Sequence, residues 1–186
     1  FLKKGAVVSR INLQKVTMQR VNKFFEQTGR PIPKNMLIYM NLLFNDLVRF
    51  IGFDFTPLTP VFVTSYDTNY CITQRITGVL PLLTAIDMEP DTAIAFAGRY
   101  AKMDFNEFNE YVKASLEDFI NLHNGLFSVN MSNTYSKEAE LDPPGHTEEK
   151  SLKLSDDAFI VPIIYPFGTI YFIVSSLPGE EDKKEA

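Results

Sequence analysis

The chain has one cysteine, no tryptophan and two histidines among its 186 residues. A single thiol, Cys71, excludes an internal disulfide framework and a cysteine-cluster metal site. His123 and His146 leave too little imidazole for a zinc centre, so neither metal nor cofactor is expected. There is no Walker-type glycine loop, no Gly-x-Gly-x-x-Gly turn and no Gly-x-Ser-x-Gly elbow, which removes the usual signatures of nucleotide-dependent enzymes and serine hydrolases. Phe1 stands where a methionine is expected, so a trimmed start is expected, and the residues given show no secretory h-region. A long uncharged run is also missing. The most apolar stretch, 35–51, is interrupted by Asn41, Asn45, Asp46 and Arg49, so no membrane span is expected.

The net charge of -5 is unevenly distributed. Residues 136–157 carry seven acids against three lysines, and the tail after Gly179 carries four acids against two lysines. The remainder of the chain is close to neutral. A basic stripe of the kind nucleic-acid binders need is lacking, so no nucleic-acid partner is expected. Both acidic segments are expected to be mobile, because they hold few large apolar groups.

Apolar residues make up 45% of the sequence, enough for one compact domain. Asn12 as a cap, an apolar repeat through Phe25 and the stop Gly29-Arg30-Pro31 predict a helix over 13–28. This helix is read as part of an N-terminal extension, 1–32, packing on the main body. Apolar positions 36, 40, 43, 44, 47 and 51 predict a core helix over 35–51, ending at Gly52. An extended segment, 55–65, follows. Strands over 70–77 and 79–86 then flank Gly78, with Pro81 at an edge or bulge. Glu89-Pro90-Asp91 opens a small-residue helix. A longer helix is expected over 104–124, with Gly125 as its stop and a strand-like run over 126–135. Residues 158–165 and 169–176 flank Pro166-Phe167-Gly168 as a second hairpin. Helices followed by strands, twice over, predict an α+β fold: an antiparallel sheet covered on one face by the two long helices. Cys71 is expected to be a buried thiol, His123 to complement the dipole at a helix C-terminus, and His146 to lie in an exposed loop.

This order of elements, with several local phrases, resembles the CheC/CheX family of bacterial chemotaxis and two-component signalling. The phrases are Met36–Gly52 followed by Phe53-Asp-Phe-Thr-Pro, then Ile76-Thr-Gly-Val-Leu, Asp91-Thr-Ala-Ile-Ala-Phe-Ala-Gly, and the closing Val161-Pro-Ile-Ile-Tyr-Pro-Phe-Gly. The resemblance spans roughly residues 33–176. It implies a CheX-like domain over 33–178 with a disordered tail at 179–186. It also implies a bacterial, cytoplasmic location, a homodimer, and a response-regulator receiver domain of the CheY kind as partner.

Phosphatases of that family carry Glu-x-x-Asn-x-x-x-Gly on a helix. The Glu grips a lysine of the receiver, and the Asn orients water at its aspartyl phosphate. Apolar spacing at Phe108, Tyr111 and Val112 places Glu107 at the Glu position, which puts Glu110 at the Asn position, with Asn106 and Asn109 as substitute amides. An ionised carboxylate at Glu110 would repel a phosphoryl group and could not donate to it. The resemblance with this departure implies receiver binding with doubtful phosphatase activity. The alternatives are an active phosphatase of a CheY-like receiver and an unrelated α+β interaction domain.

Overall fold

The computed structural model describes residues 16–78, 81–136 and 138–177. Four α-helices are present among them: α1 (Met18–Glu26), α2 (Lys34–Asp46), α3 (Pro90–Ala101) and α4 (Glu110–Tyr135). The strands are β1 (Thr56–Pro57), β2 (Val61–Phe62), β3 (Ser65–Asp67), β4 (Tyr70–Gly78), β5 (Leu82–Met88), β6 (Ala139–Leu141), β7 (Gly145–His146), β8 (Ser151–Lys153), β9 (Phe159–Tyr165) and β10 (Gly168–Ser176). The main sheet runs β1-β9-β10-β5-β4-β6, with β2 also on β9 and β7 also on β4, and its pairs are antiparallel. Strands β3 and β8 form a separate antiparallel ribbon.

Strand alternation divides the sheet into two faces. Ile72, Ile76, Leu82, Ile86, Phe159, Val161, Ile170 and Phe172 point to the helices and join one core with Met40, Leu43, Phe96, Leu116 and Phe119. The long helices α2 and α4 lie together on that face, in contact through Tyr39, His123 and Phe127. On the reverse face, Cys71, Ala85, Ile160 and Ile173 pack under Leu152 of the β3–β8 ribbon. Helix α1 seals the β9 side of the core with Phe25 on Phe159 and Phe24 on Phe44. The α+β arrangement is the one expected from the sequence.

Several expected boundaries change. Helix α4 starts at Glu110 rather than 104, because the Asn109 side chain accepts from the Tyr111 and Val112 amides and caps it. It then runs through Gly125 to Tyr135, so 126–135 is helix and not strand. A helical glycine costs only about 1 kcal/mol relative to alanine. Buried Phe127 and Met131 continue the face of Leu116, Ile120 and His123 and offset that cost. His123 is consequently a buried mid-helix residue and not a terminal one.

The acidic stretch 136–157 contributes β6, β7 and β8, because Leu141 and Leu152 pack against the body. Its His146 lies in β7, exposed, with its ring stacked on Tyr70. Pro81 immediately precedes β5, where no ladder donor is needed. The tail expectation for 179–186 and the first part of the 13–28 helix fall outside the described residues. Gly168 takes φ 147 in the final hairpin, and a Cβ there would collide with the Thr92 side chain.

Candidate functional site

Helix α4 lies over the sheet with one flank buried and the other open. At about 100° per residue, Tyr111, Asp118, Leu122, Gly125 and Val129 fall within one outward stripe, with Asn121 and Leu126 at its borders. Tyr111 and Val129 are 73% and 61% exposed, an unusual allowance for large apolar groups on a helix. Asp118 and Asn121 are exposed between them, one turn apart. Gly125 is open outward: a Cβ placed on it meets no atom within 4 Å. Beside this stripe, a shallow groove of about 520 Å³ is lined by Phe50, Tyr100, Met103, Phe105, Tyr111 and Asp118.

Each polar member of the stripe is held from behind. Tyr100 of α3 donates its hydroxyl to Asp118 Oδ2 at 2.6 Å. Burial, and after it this bond to a carboxylate, drives the Tyr100 ionisation upward, so the phenol remains a donor. Gln74 of β4 donates through Nε2 to Asn121 Oδ1 at 2.8 Å.

The residues singled out in the sequence stand elsewhere. Asn106 and Glu107 precede the helix, in the loop that carries Phe105 and Phe108. Asn109 spends its side-chain oxygen on the helix cap. Glu110, in the first turn, pairs with Lys113 at 2.6 Å. Glu107 and Glu110 therefore do not share a helical face, since only Glu110 is on the helix. By contrast, Asp118-Phe-Ile-Asn121-Leu-His-Asn-Gly125 has the spacing of the Glu-x-x-Asn-x-x-x-Gly pattern, with Asp in place of Glu. That signal was present in the sequence. Because α4 continues through Gly125, all three positions lie on one helix.

Cys71 is fully buried beside Asp87, and burial raises its thiol ionisation well above the ordinary value. It is therefore inert as a nucleophile. Among the described residues there is no group of three or more His, Cys, Asp or Glu side chains that could hold a metal ion, and no helix long and apolar enough to cross a membrane.

No protein-family model and no curated protein matches the sequence. Solved structures match its fold. CheX from Borrelia burgdorferi, in a complex of CheX and CheY with BeF3 and Mg2+, superposes with a TM-score of 0.66 at 15% identity, covering 78% of this chain and 99% of that one. A CheC-like superfamily protein from Shewanella sp. PV-4 gives 0.64 at 14% identity over 79% of this chain and 100% of that one. CheX from Desulfovibrio desulfuricans gives 0.61 at 13% identity over 78% and 100%. The chain has the fold of the CheX and CheC-like chemotaxis proteins.

Proposed function

We propose that this chain is a CheX-like signalling domain that docks the receiver domain of a response regulator on the open face of α4 and hydrolyses its aspartyl phosphate. The observation that carries the reading is the pair Asp118 and Asn121, exposed one turn apart and in line with Gly125. In this register Asp118 is the carboxylate that grips a receiver lysine, and Asn121 is the amide that positions water at the phosphoryl group. The water oxygen bonds to phosphorus as the bond to the aspartyl oxygen breaks. The products are a free carboxylate and inorganic phosphate, which takes up the water proton. Tyr111, Leu126 and Val129 provide the apolar contact around the polar pair. The similar CheX crystallised with CheY supports a CheY-like partner, and such a partner implies a cytoplasmic location.

A second reading keeps receiver binding without turnover. It is favoured by the shorter reach of aspartate and by the hydroxyl of Tyr100 already seated on Asp118. One assay decides between the two. Receiver domains from the same genome, phosphorylated with acetyl phosphate, are followed for loss of acyl phosphate with native protein, Asp118→Ala, Asn121→Ala, Glu107→Ala and Glu110→Asn. Loss of activity in the first two variants alone supports the proposed register. Faster turnover by Glu110→Asn would restore the register through Glu107 and Glu110. Absence of binding to any receiver would leave an α+β interaction domain with only the fold in common.

We also infer a homodimer, formed through the edge at 55–65, where Leu58 and Val61 are exposed. One protomer mass across a wide concentration range in light scattering would refute it.

A further inference from the structure

Gln74 is a neutral polar residue of β4, one strand in from the β6 edge, 1% exposed and bonded to Asn121 of α4. Its Nε2 lies 2.8 Å from Asn121 Oδ1 and 2.8 Å from the backbone oxygen of Asp142. A backbone oxygen can only accept. The Gln74 atom that faces it is therefore the NH2 group, and the atom Asn121 presents to the same NH2 must be its oxygen. The other end of Gln74 agrees with this assignment. Its Oε1 accepts from Asn124 Nδ2 at 2.8 Å, and that same nitrogen donates to Thr84 Oγ1 at 2.8 Å. The Thr84 hydroxyl is itself spent as a donor on the Gln74 backbone oxygen at 3.0 Å. Asn124 Oδ1 accepts the Tyr39 hydroxyl at 2.9 Å. Every amide in the chain Tyr39–Asn124–Gln74–Asn121 thus has a single orientation consistent with its partners.

The consequence falls on the surface residue. With its oxygen committed inward, Asn121 turns Nδ2 outward, where it has no partner among the described residues. We propose that Gln74 is the positioning residue of the site: it holds the Asn121 amide with its NH2 toward the incoming receiver. An NH2 donor attracts an anionic phosphoryl oxygen and can hold the attacking water by one of its lone pairs while the other faces phosphorus, whereas the flipped amide would offer an acceptor and repel the phosphoryl group. The flipped state would also set two N–H donors face to face inside the protein. This inference rests on the reading of Asp118 and Asn121 given above.

The test has a spectroscopic arm and a kinetic arm. In the native protein, a scalar coupling across the hydrogen bond is expected between Gln74 Nε2 and the Asn121 side-chain carbonyl carbon, and the Asn121 NH2 protons should exchange as fast as those of a free surface amide. A protected Asn121 NH2 with no such coupling would overturn the proposal without any variant. Kinetically, Gln74→Met keeps the side-chain volume and removes all three side-chain hydrogen bonds of Gln74. It should lower kcat on a phosphorylated receiver by about 10- to 100-fold with little change in KM, the pattern of a lost transition-state contact. Ile76→Val, a core change on the same strand, serves as the stability control and should leave both parameters near native. Full kcat in Gln74→Met alongside loss in Asn121→Ala overturns the role of Gln74 and leaves the phosphatase reading standing. Native activity in Asn121→Ala overturns the phosphatase reading, and the positioning role with it.

Discussion

Tyr100 of α3 and Asp118 of α4 meet at 2.6 Å, phenol donating to carboxylate, at the rim of the apolar groove beside the α4 stripe. The bond ties the candidate anchoring carboxylate to a second helix and limits its freedom. Tyr100→Phe preserves the ring packing on Phe119 and Phe50 while removing the hydroxyl. The expected loss of stability is about 1 kcal/mol, read from urea unfolding. An unchanged midpoint would mean that water replaces the phenol without cost.

Gly125→Ala separates stability from docking. A half-buried helical glycine with open space at its Cβ position, replaced by alanine, should gain up to about 1 kcal/mol, since the new methyl meets nothing in the free domain. If a receiver seats closely against this position, the same methyl should weaken its binding by about tenfold or more, equivalent to roughly 1.4 kcal/mol. Thermal unfolding and titration calorimetry on one variant check both. A raised melting temperature with unaltered receiver affinity would remove Gly125 from the docking surface.

The buried contact between α2 and α4 is polar. His123 Nδ1 lies 2.7 Å from Asp46 Oδ2, with the His123 ring edge-on to Tyr39. His123→Ala leaves a largely buried carboxyl without its partner and opens a cavity between the helices. The combined effect is expected to be a loss of about 2–4 kcal/mol, measured as a shift in urea midpoint at constant m.

Acid should weaken the fold through two carboxyls. The Arg99 guanidinium holds Asp54 below its usual 3.8, by hydrogen bonding first and against partial burial. At Asp157, partial burial works against ionisation, but bonds from Ser155, Ser176 and the local backbone outweigh it and lower the pKa as well. A carboxyl depressed in the folded state contributes stability above its unfolded pKa and loses it as pH falls through its folded pKa. Stability at pH 5 should therefore exceed that at pH 3, and Asp157→Asn should flatten part of the slope. Arg99 and Asp54 are substantially exposed, so their share should shrink in high salt.

Much of the architecture follows from local pattern. The alternation of Ile72 and Ile76 with Cys71 and Arg75, the helical spacing from Met36 to Ile51, and the turn at Pro166-Phe167-Gly168 are short-range signals, and strands and helices form where they were read. The errors came where a local rule competes with packing. Gly125 is a stop signal by composition, yet the helix continues because Phe127 and Met131 have a core to enter. The acidic stretch 136–157 looks solvated, yet Leu141 and Leu152 find partners on distant strands. The helix start also differs: α4 begins at Glu110 rather than 104, so Glu107 lies in the preceding loop and does not share a helical face with Glu110.

By itself the sequence determined most of the element types, the antiparallel hairpins, a single cysteine that rules out an internal disulfide, and the presence of an Asp-x-x-Asn-x-x-x-Gly phrase. Only the tertiary structure decided which face of α4 is open, which groups stand behind Asp118 and Asn121, and which way the Asn121 amide points. Periodicity and capping act over a few residues and can be read along the chain. The orientation of an amide depends on partners such as Gln74 and Asp142, which folding alone brings to it.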